Sequence, residues 1–263
     1  MINKINDMKN IFDNLRDEDS VKDIGNNVYS FISLNNGAGA KTVAIQVATE
    51  IARSGKRVGL IDLNFLQPGI GLMLNIQLTK ENSILNYFNS GKELKECVIP
   101  IKNEKNMWLF STSPSDIPLD MATLQKEMFT ELYEYSESTF EYVILCLPYD
   151  PLAEWFVYSL EHINKGYIVW DEQYDNMIRT KILLDYVHQI SFKANSINNV
   201  ILNKTSDRAY DYSKIDDIQC NLIGELPYVY DIPKMKKEGK IYLDKKTNVN
   251  KNYKKGIETI IKN

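Results

Sequence analysis

The chain has 263 residues, 44% hydrophobic and 25% charged, the proportions of an ordinary globular protein long enough to bury a sizeable core. A net charge of −4 excludes the global basic field of a nucleic-acid binder, and two histidines with three scattered cysteines (Cys97, Cys146, Cys220) argue against a histidine-rich metal centre or a disulfide frame. No apolar run reaches the roughly 18 residues of a membrane span, and the polar N-terminus is unlike a signal peptide, so a cytoplasmic chain is expected.

Residues 1–26 read as a preamble, with Ile2, Ile5, Met8, Phe12 and Leu15 at the spacing of a short amphipathic helix. Its polar face mixes both charges, which favours packing on the chain's own domain or on a partner over an anionic membrane. After it, short apolar runs alternate with helical patterns. VYSFISL (28–34) reads as a strand and KTVAIQVATEIARSG (41–55) as a helix. Ala44, Val47, Ala48, Ile51 and Ala52 fall on one face of that helix, and Gly55 stops it. KRVGLIDL (56–63) reads as a buried strand, followed by a helix near 81–90 and a strand at MWLFST (107–112). Next come a helix near 119–136, a strand at YVILCL (142–147) and a helix near 152–162. The pattern continues with a strand at GYIVW (166–170), a helix near 174–190 and a strand at NNVILN (198–203). Mixed elements then lead to a final helix near 250–262. Such alternation predicts a doubly wound α/β fold, a mostly parallel sheet flanked by helices, with residues 27–263 as one domain.

In such a sheet, ligands sit at the turn from the first strand to the first helix. Glycines there let backbone N–H groups approach a phosphate, and the helix N-terminus adds partial positive charge. The turn here is NNGAG (35–39), with Lys41 and Thr42 behind it.

The stretch NNGAGAKTVAIQVATEIARSGKRVGLIDLN (35–64) resembles the opening of the ParA/MinD branch of P-loop NTPases (SIMIBI type). That opening has a deviant glycine loop K-G-G-x-G-K-T-T, a helix, a G-K-R-V turn and a strand ending in Asp. FEYVILCLP (140–148) is similar to the family's F-D-Y-V-I-V-D-x-P segment. VILNK (200–204) is similar to its strand whose Asn recognises the base, and IGELPYVYDIPKMKKEGK (223–240) to its late I-P-Y…G-K segment. The order and spacing of these segments cover nearly everything after residue 28.

Two registers are open. One places Lys41 and Thr42 on the family's K-T pair, with Ala38 and Ala40 on two glycines. The other counts back from the strand-end aspartate: Ala40 precedes Asp62 by 22 residues, the interval at which the family's loop lysine precedes its aspartate. Ala40 then takes the lysine position, Lys41 the magnesium-binding Ser/Thr position, and Gly37 and Gly39 fall on glycines. Asn35 takes the position of the signature lysine that reaches across a dimer. The second register is preferred, because a one-residue shift would turn the helix by about 100° and rotate its apolar face off the sheet.

In that register the resemblance implies a nucleotide site at Gly37, Ala38, Gly39, Ala40, Lys41, Thr42, Asp62 and Asn203, with no catalytic residue and no dedicated metal ligand. Both phosphate-neutralising lysines are missing, Cys146 replaces the Walker B aspartate, and Asn64 replaces one of an acidic pair. Binding of ATP or ADP is expected to survive on backbone N–H groups, with Asn203 on adenine. Lys41 is expected to place its ammonium opposite Asp62, where a magnesium ion would sit, making the metal dispensable. The plainer alternatives are Lys41 pairing with Asp62 in an empty pocket, Cys146 as a small buried strand residue, and Asn203 as a turn residue.

Loss of the loop lysine, and the likeness of DLNFLQPGIGLMLNI (62–76) to D-L-D-L-Q-F-G-D…L-L, resemble the TadZ/CpaE group. That resemblance implies a homodimeric pseudo-ATPase positioning pilus or secretion machinery, recruited to a pole or a membrane-associated complex. The competing expectation is a slow ParA/MinD-type ATPase of plasmid partition or cell-division site placement, with Lys41 and Thr42 as the working loop pair. A MinD-like action would need an amphipathic C-terminal helix, for which 250–263 supplies only Tyr253, Ile257, Ile260 and Ile261.

Overall fold

A computed structural model describes residues 27–121, 124–148, 150–190, 194–206, 213–244 and 247–263. The expected N-terminal helix at 1–26 lies outside the described residues. Within them, eight strands form one sheet: β1 (Asn27–Ile32), β2 (Val58–Asp62), β3 (Ile99–Pro100), β4 (Met107–Phe110), β5 (Tyr142–Cys146), β6 (Lys165–Trp170), β7 (Asn199–Thr205) and β8 (Asn221–Pro227). Their order is β3-β4-β2-β5-β1-β6-β7-β8, and every pairing is parallel except the two-residue β3 edge, which runs antiparallel to β4.

The helices, in chain order, are α1 (Ala40–Arg53), α2 (Ile70–Met73), α3 (Ile84–Ser90), α4 (Leu94–Cys97), α5 (Lys126–Thr139), α6 (Glu154–Ser159), α7 (Asp175–Ile190), α8 (Ser213–Asp216), α9 (Ile232–Lys237) and α10 (Asn248–Lys262). Strand alternation divides them between two faces. Tyr29 and Phe31 of β1 point to the face covered by α1 and α10, while Val28 and Ile32 point to the face covered by α3, α5, α6 and α7. A period of two in the strands therefore builds two cores, and each helix supplies its apolar stripe to one of them. On α1 that stripe is Ala44, Val47, Ala48, Ile51 and Ala52, all essentially without solvent exposure. The small residues let α1 lie close on β1 and β5.

The strand positions expected from the sequence are observed to within two residues at each end. The helix expected near 119–136 starts instead at Lys126, because Pro118–Met121 forms a separate 3-10 turn and Gln125 is extended. The segment read as mixed resolves into β8 and α9. At the C-terminus, Tyr253, Ile257 and Ile260 of α10 are completely buried, and Gly256 lets the helix backbone approach Glu225 of β8. The terminal helix thus commits its apolar face to the sheet.

Gly59 on β2 has a packing role. A Cβ at this position would come within 2.4 Å of the Phe140 ring, which is itself 3% exposed and edge-on to Phe110. Ordinarily Gly→Ala in a strand is mildly stabilising. Here Gly59→Ala is expected to destabilise the protein by about 1–3 kcal/mol through overpacking, read as a lower urea midpoint at unchanged m-value.

Candidate functional site

β1 ends at Ile32 between β5 and β6, where the chain's connections diverge to opposite sides of the sheet. The crevice at the carboxyl ends of the strands opens at this point. The turn at 33–39 lies there, and two backbone features shape it. Gly37 and Gly39 both adopt left-handed conformations, with φ of 84° and 108°. Gly39 is needed for a second reason: a Cβ would sit 2.4 Å from the Asn203 amide nitrogen.

Gly39 is the N-cap of α1 and offers no side chain to cap it, and the first turn carries no acidic residue. The first four N–H groups of a helix have no intrahelical acceptor, so this end presents donors and the positive end of a 14-residue dipole. They face a cavity of about 200 Å³ lined by Asn36, Gly37, Ala40, Thr42 and Cys146, among others. A second cavity of about 140 Å³ adjoins it, lined by Gly37, Gly39, Thr42, Asn203, Tyr228 and Pro233, among others. Lys236 lines both.

The structure brings together all eight residues expected at the site. Ala40 is the first helical residue, 8% exposed, and its methyl replaces any charge there. Lys41 lines the first cavity together with Gly37 and Gly39. Its ammonium donates to the Gln67 carbonyl and lies 3.7 Å from Oδ1 of Asp62. Asp62, at the end of β2, has no solvent exposure and accepts N–H bonds from Asn64 at 3.2 Å, Gly69 at 2.9 Å and Ile70 at 3.2 Å. Burial pushes its carboxyl above the usual range, opposed first by Lys41 and then by these N–H groups. Cys146 pairs across the sheet with Asp62. Burial, and secondarily the Asp62 charge, push its thiol well up, so it stays protonated.

Among the described residues no group of three His, Cys, Asp or Glu side chains could hold a metal ion. The Asp62 carboxylate at the end of β2 already faces an ammonium, and its cross-strand neighbour Cys146 is a protonated thiol. That donor set does not fit a magnesium ion. The turn itself, with uncapped N–H groups and lysines around it, fits the phosphates of a nucleotide.

Asn203 and Asn35 each make contacts that hold the turn in place. Nδ2 of Asn203 donates to the Ala38 carbonyl at 2.7 Å, so this end of the side chain braces the turn, while the residue also lines the second cavity. Asn35, at the position of the dimer-reaching lysine, is 5% exposed. It donates to Asp175 at 2.9 Å and Asn176 at 3.0 Å at the start of α7. Arg179 completes this fastening by donating to the Leu34 carbonyl at 3.2 Å.

Two lysines at the site were not expected from the sequence. Lys204, next to Asn203, adopts a left-handed backbone with φ of 61° and donates to the Gly37 carbonyl. Lys236 projects from α9. The signal for Lys236 was the run KMKKEGK (234–240), in which four lysines accompany one glutamate.

No protein-family profile matches the sequence, and no curated protein does. Solved structures do match in fold. A ParA family ATPase from Chlorobium tepidum TLS superposes with a TM-score of 0.75 at 19% identity, over 89% of this chain and 98% of that one. The cell-division ATPase MinD of Pyrococcus furiosus gives 0.74 at 15% identity, over 90% and 98%. The septum site-determining protein MinD of Pyrococcus horikoshii OT3, solved with Mg-ADP, gives 0.74 at 14%, over 89% and 96%. The chain therefore has the fold of the ParA/MinD P-loop ATPases. At these identities the fold is what is shared, and the chemistry must be read from this chain's own residues.

The Lys41–Asp62 contact yields a prediction. Lys41→Met leaves a buried carboxylate with backbone donors alone, and at neutral pH this is expected to cost about 1–3 kcal/mol. Because burial raises the Asp62 carboxyl, its ionisation already costs the fold, and that cost grows once the ammonium is gone. The loss should therefore shrink as pH falls through the Asp62 titration, when the neutral acid no longer needs a cation. Denaturant melts of both proteins across pH measure this directly.

Proposed function

We propose that this chain is a nucleotide-binding pseudo-ATPase of the ParA/MinD type, with hydrolysis weak or absent, acting as a positioning scaffold. The observation that carries the reading is the pair of neighbours at the head of α1. Ala40 places a methyl at the first helical position, and the only lysine in the first turn is diverted to Asp62. Phosphoryl transfer depends on positioning and on charges that stabilise the transferring group. Removing one preorganised stabiliser typically costs about 10²–10³ in rate. This site lacks two loop lysines and the strand-end acid replaced by Cys146, so turnover falls by several orders of magnitude while the backbone donors for phosphate remain.

On this reading ATP or ADP binds without magnesium, since the Lys41 ammonium stands opposite the carboxylate that would support the metal. Likeness to TadZ/CpaE at 62–76 supports a role in placing pilus or secretion machinery, at a pole or a membrane-associated complex. No helix among the described residues is long and apolar enough to cross a membrane. A homodimer or partner face is supported by a cavity of about 400 Å³ beside the glycine turn. It is lined by Leu66, Met121, Leu124, Leu152 and Trp155, among others, and shares Asn64 and Gln67 with the turn's own cavity. Leu66 is 60% and Leu152 43% exposed, an apolar rim that solvent alone does not explain.

Titration calorimetry of ATP in magnesium and in EDTA is expected to give similar affinities, with phosphate release at the level of buffer. Gel filtration with ATP is expected to show an earlier-eluting dimer. An absolute magnesium requirement, or brisk phosphate release abolished by Lys41→Ala, would instead establish a working ATPase of the partition or cell-division kind.

A further inference from the structure

Resting on the nucleotide reading above, we propose that Lys236, assisted by Lys204, supplies the phosphate-neutralising charge that the glycine turn lacks. The ligand class is a nucleoside di- or triphosphate without bound metal.

Three observations converge. Lys236 lines both cavities around the turn, so its stem lies where the space beside α1 meets the space between Asn203 and Tyr228. It makes no hydrogen bond or ion pair with any described residue, whereas nearby Lys240 pairs with Glu238 at 2.8 Å and Lys254 with Glu50 at 3.2 Å. Finally, burial and then the neighbouring charge of Lys204 depress its ammonium. A half-buried cation held next to another cation, with no anion opposite, is an unfavourable arrangement in the empty protein. It becomes favourable when an anion lies where the two cavities meet, beside Lys236, which lines both, and Lys204, which lines the second.

Lys204 is fixed for the same task. Its left-handed backbone is uncommon for a residue with a Cβ, and its ammonium is tied to the carbonyl of Gly37 in the turn itself. Positive charge thus reaches the turn from the ends of β7 and α9, and α1 contributes only N–H groups. Lys41 also lines the first cavity, but its ammonium is engaged by the Asp62 carboxylate and the Gln67 carbonyl. A polyphosphate entering the first cavity with its base in the second would pass Lys236 on the way. The second cavity has the flat and apolar walls such a base needs, in Tyr228, Val229 and Pro233.

The test is calorimetric binding of ADP and of adenosine, in EDTA, to wild type, Lys236→Met and Lys236→Arg. The methionine variant is expected to bind ADP at least tenfold more weakly and adenosine equally well, with the arginine variant retaining most ADP affinity. Its melting temperature without ligand is expected to match or exceed that of wild type, because an unpaired half-buried charge has been removed; this separates lost recognition from misfolding. Wild type that binds neither ADP nor ATP would sink the nucleotide reading together with this inference. Equal ADP binding by wild type and Lys236→Met would overturn this inference alone. Parallel loss of ADP and adenosine would also overturn it, since the lysine would then shape the cavity without acting on phosphate.

Discussion

One buried carboxylate organises the carboxyl end of this sheet. Asp62 terminates β2 without solvent contact, collects N–H bonds from three residues of the following loop and faces the ammonium of Lys41. Each bond constrains a different piece of chain. The N–H groups of Gly69 and Ile70 draw the 63–70 loop back onto the strand end and set the start of α2. The ammonium ties that loop, through Gln67, to the first turn of α1. An isolated buried carboxylate would be costly, so this convergence of donors lets the acid remain and makes it a structural hub. The consequence for chemistry follows at once. On the proposed reading, the lysine that satisfies Asp62 is less available to a phosphate, and the acid that faces it less available to a metal.

The glycine turn is held by a second set of contacts, independent of the first. Asn203 holds the Ala38 carbonyl, Lys204 the Gly37 carbonyl, Arg179 the Leu34 carbonyl, and Asn35 anchors to α7. Three side chains from β7 and α7 thus hold carbonyl oxygens, Asn35 of the turn itself pins it to α7, and among the described residues no side chain caps the N–H groups of α1. The turn is pre-organised with its donors facing the cavity, which lowers the ordering cost of binding an anion. An enzyme needs charges that strengthen as the reaction proceeds. A binding scaffold, as proposed, needs only a rigid cradle, and these contacts would supply one.

Much of this was legible in the sequence, for physical reasons that also explain what was not. The period-two strands, the apolar face of α1 and its stop at Gly55 follow from local backbone geometry, so the alternating fold and the turn after β1 could be placed. Likewise the spacing from Ala40 to Asp62 is set by one helix and one strand of fixed rise. It therefore carried the information that Lys41 and Asp62 would meet. The short antiparallel β3 has two residues and no alternation to read, and α5 starts late because Pro118 and Gln125 make local choices that periodicity does not record. Asn203 was placed in the right strand end, but its amide braces the turn, a long-range contact invisible in a local motif. Lys236 was missed for the same reason. Its position depends on how α9 packs back toward a turn far earlier in the chain, and its neighbours in sequence look like any solvated lysine run.

The relation between charge placement and function can be taken one step further. The fold shared with ParA and MinD ATPases provides the crevice, the uncapped helix end and the strand-end acid as fixed architecture. What varies between binding and hydrolysis is where the ammonium groups stand relative to that architecture. In this chain one ammonium neutralises the acid and two approach from β7 and α9. None stands at the first position of α1. On the proposed reading, charges on the flank of a polyphosphate would attract it in the ground state without being aimed at the oxygens where charge develops during transfer. Uniform attraction of that kind tightens binding without raising turnover. On the proposed reading, the substitution at position 40 converts a timer, which resets itself by hydrolysis, into a latch whose state follows nucleotide concentration.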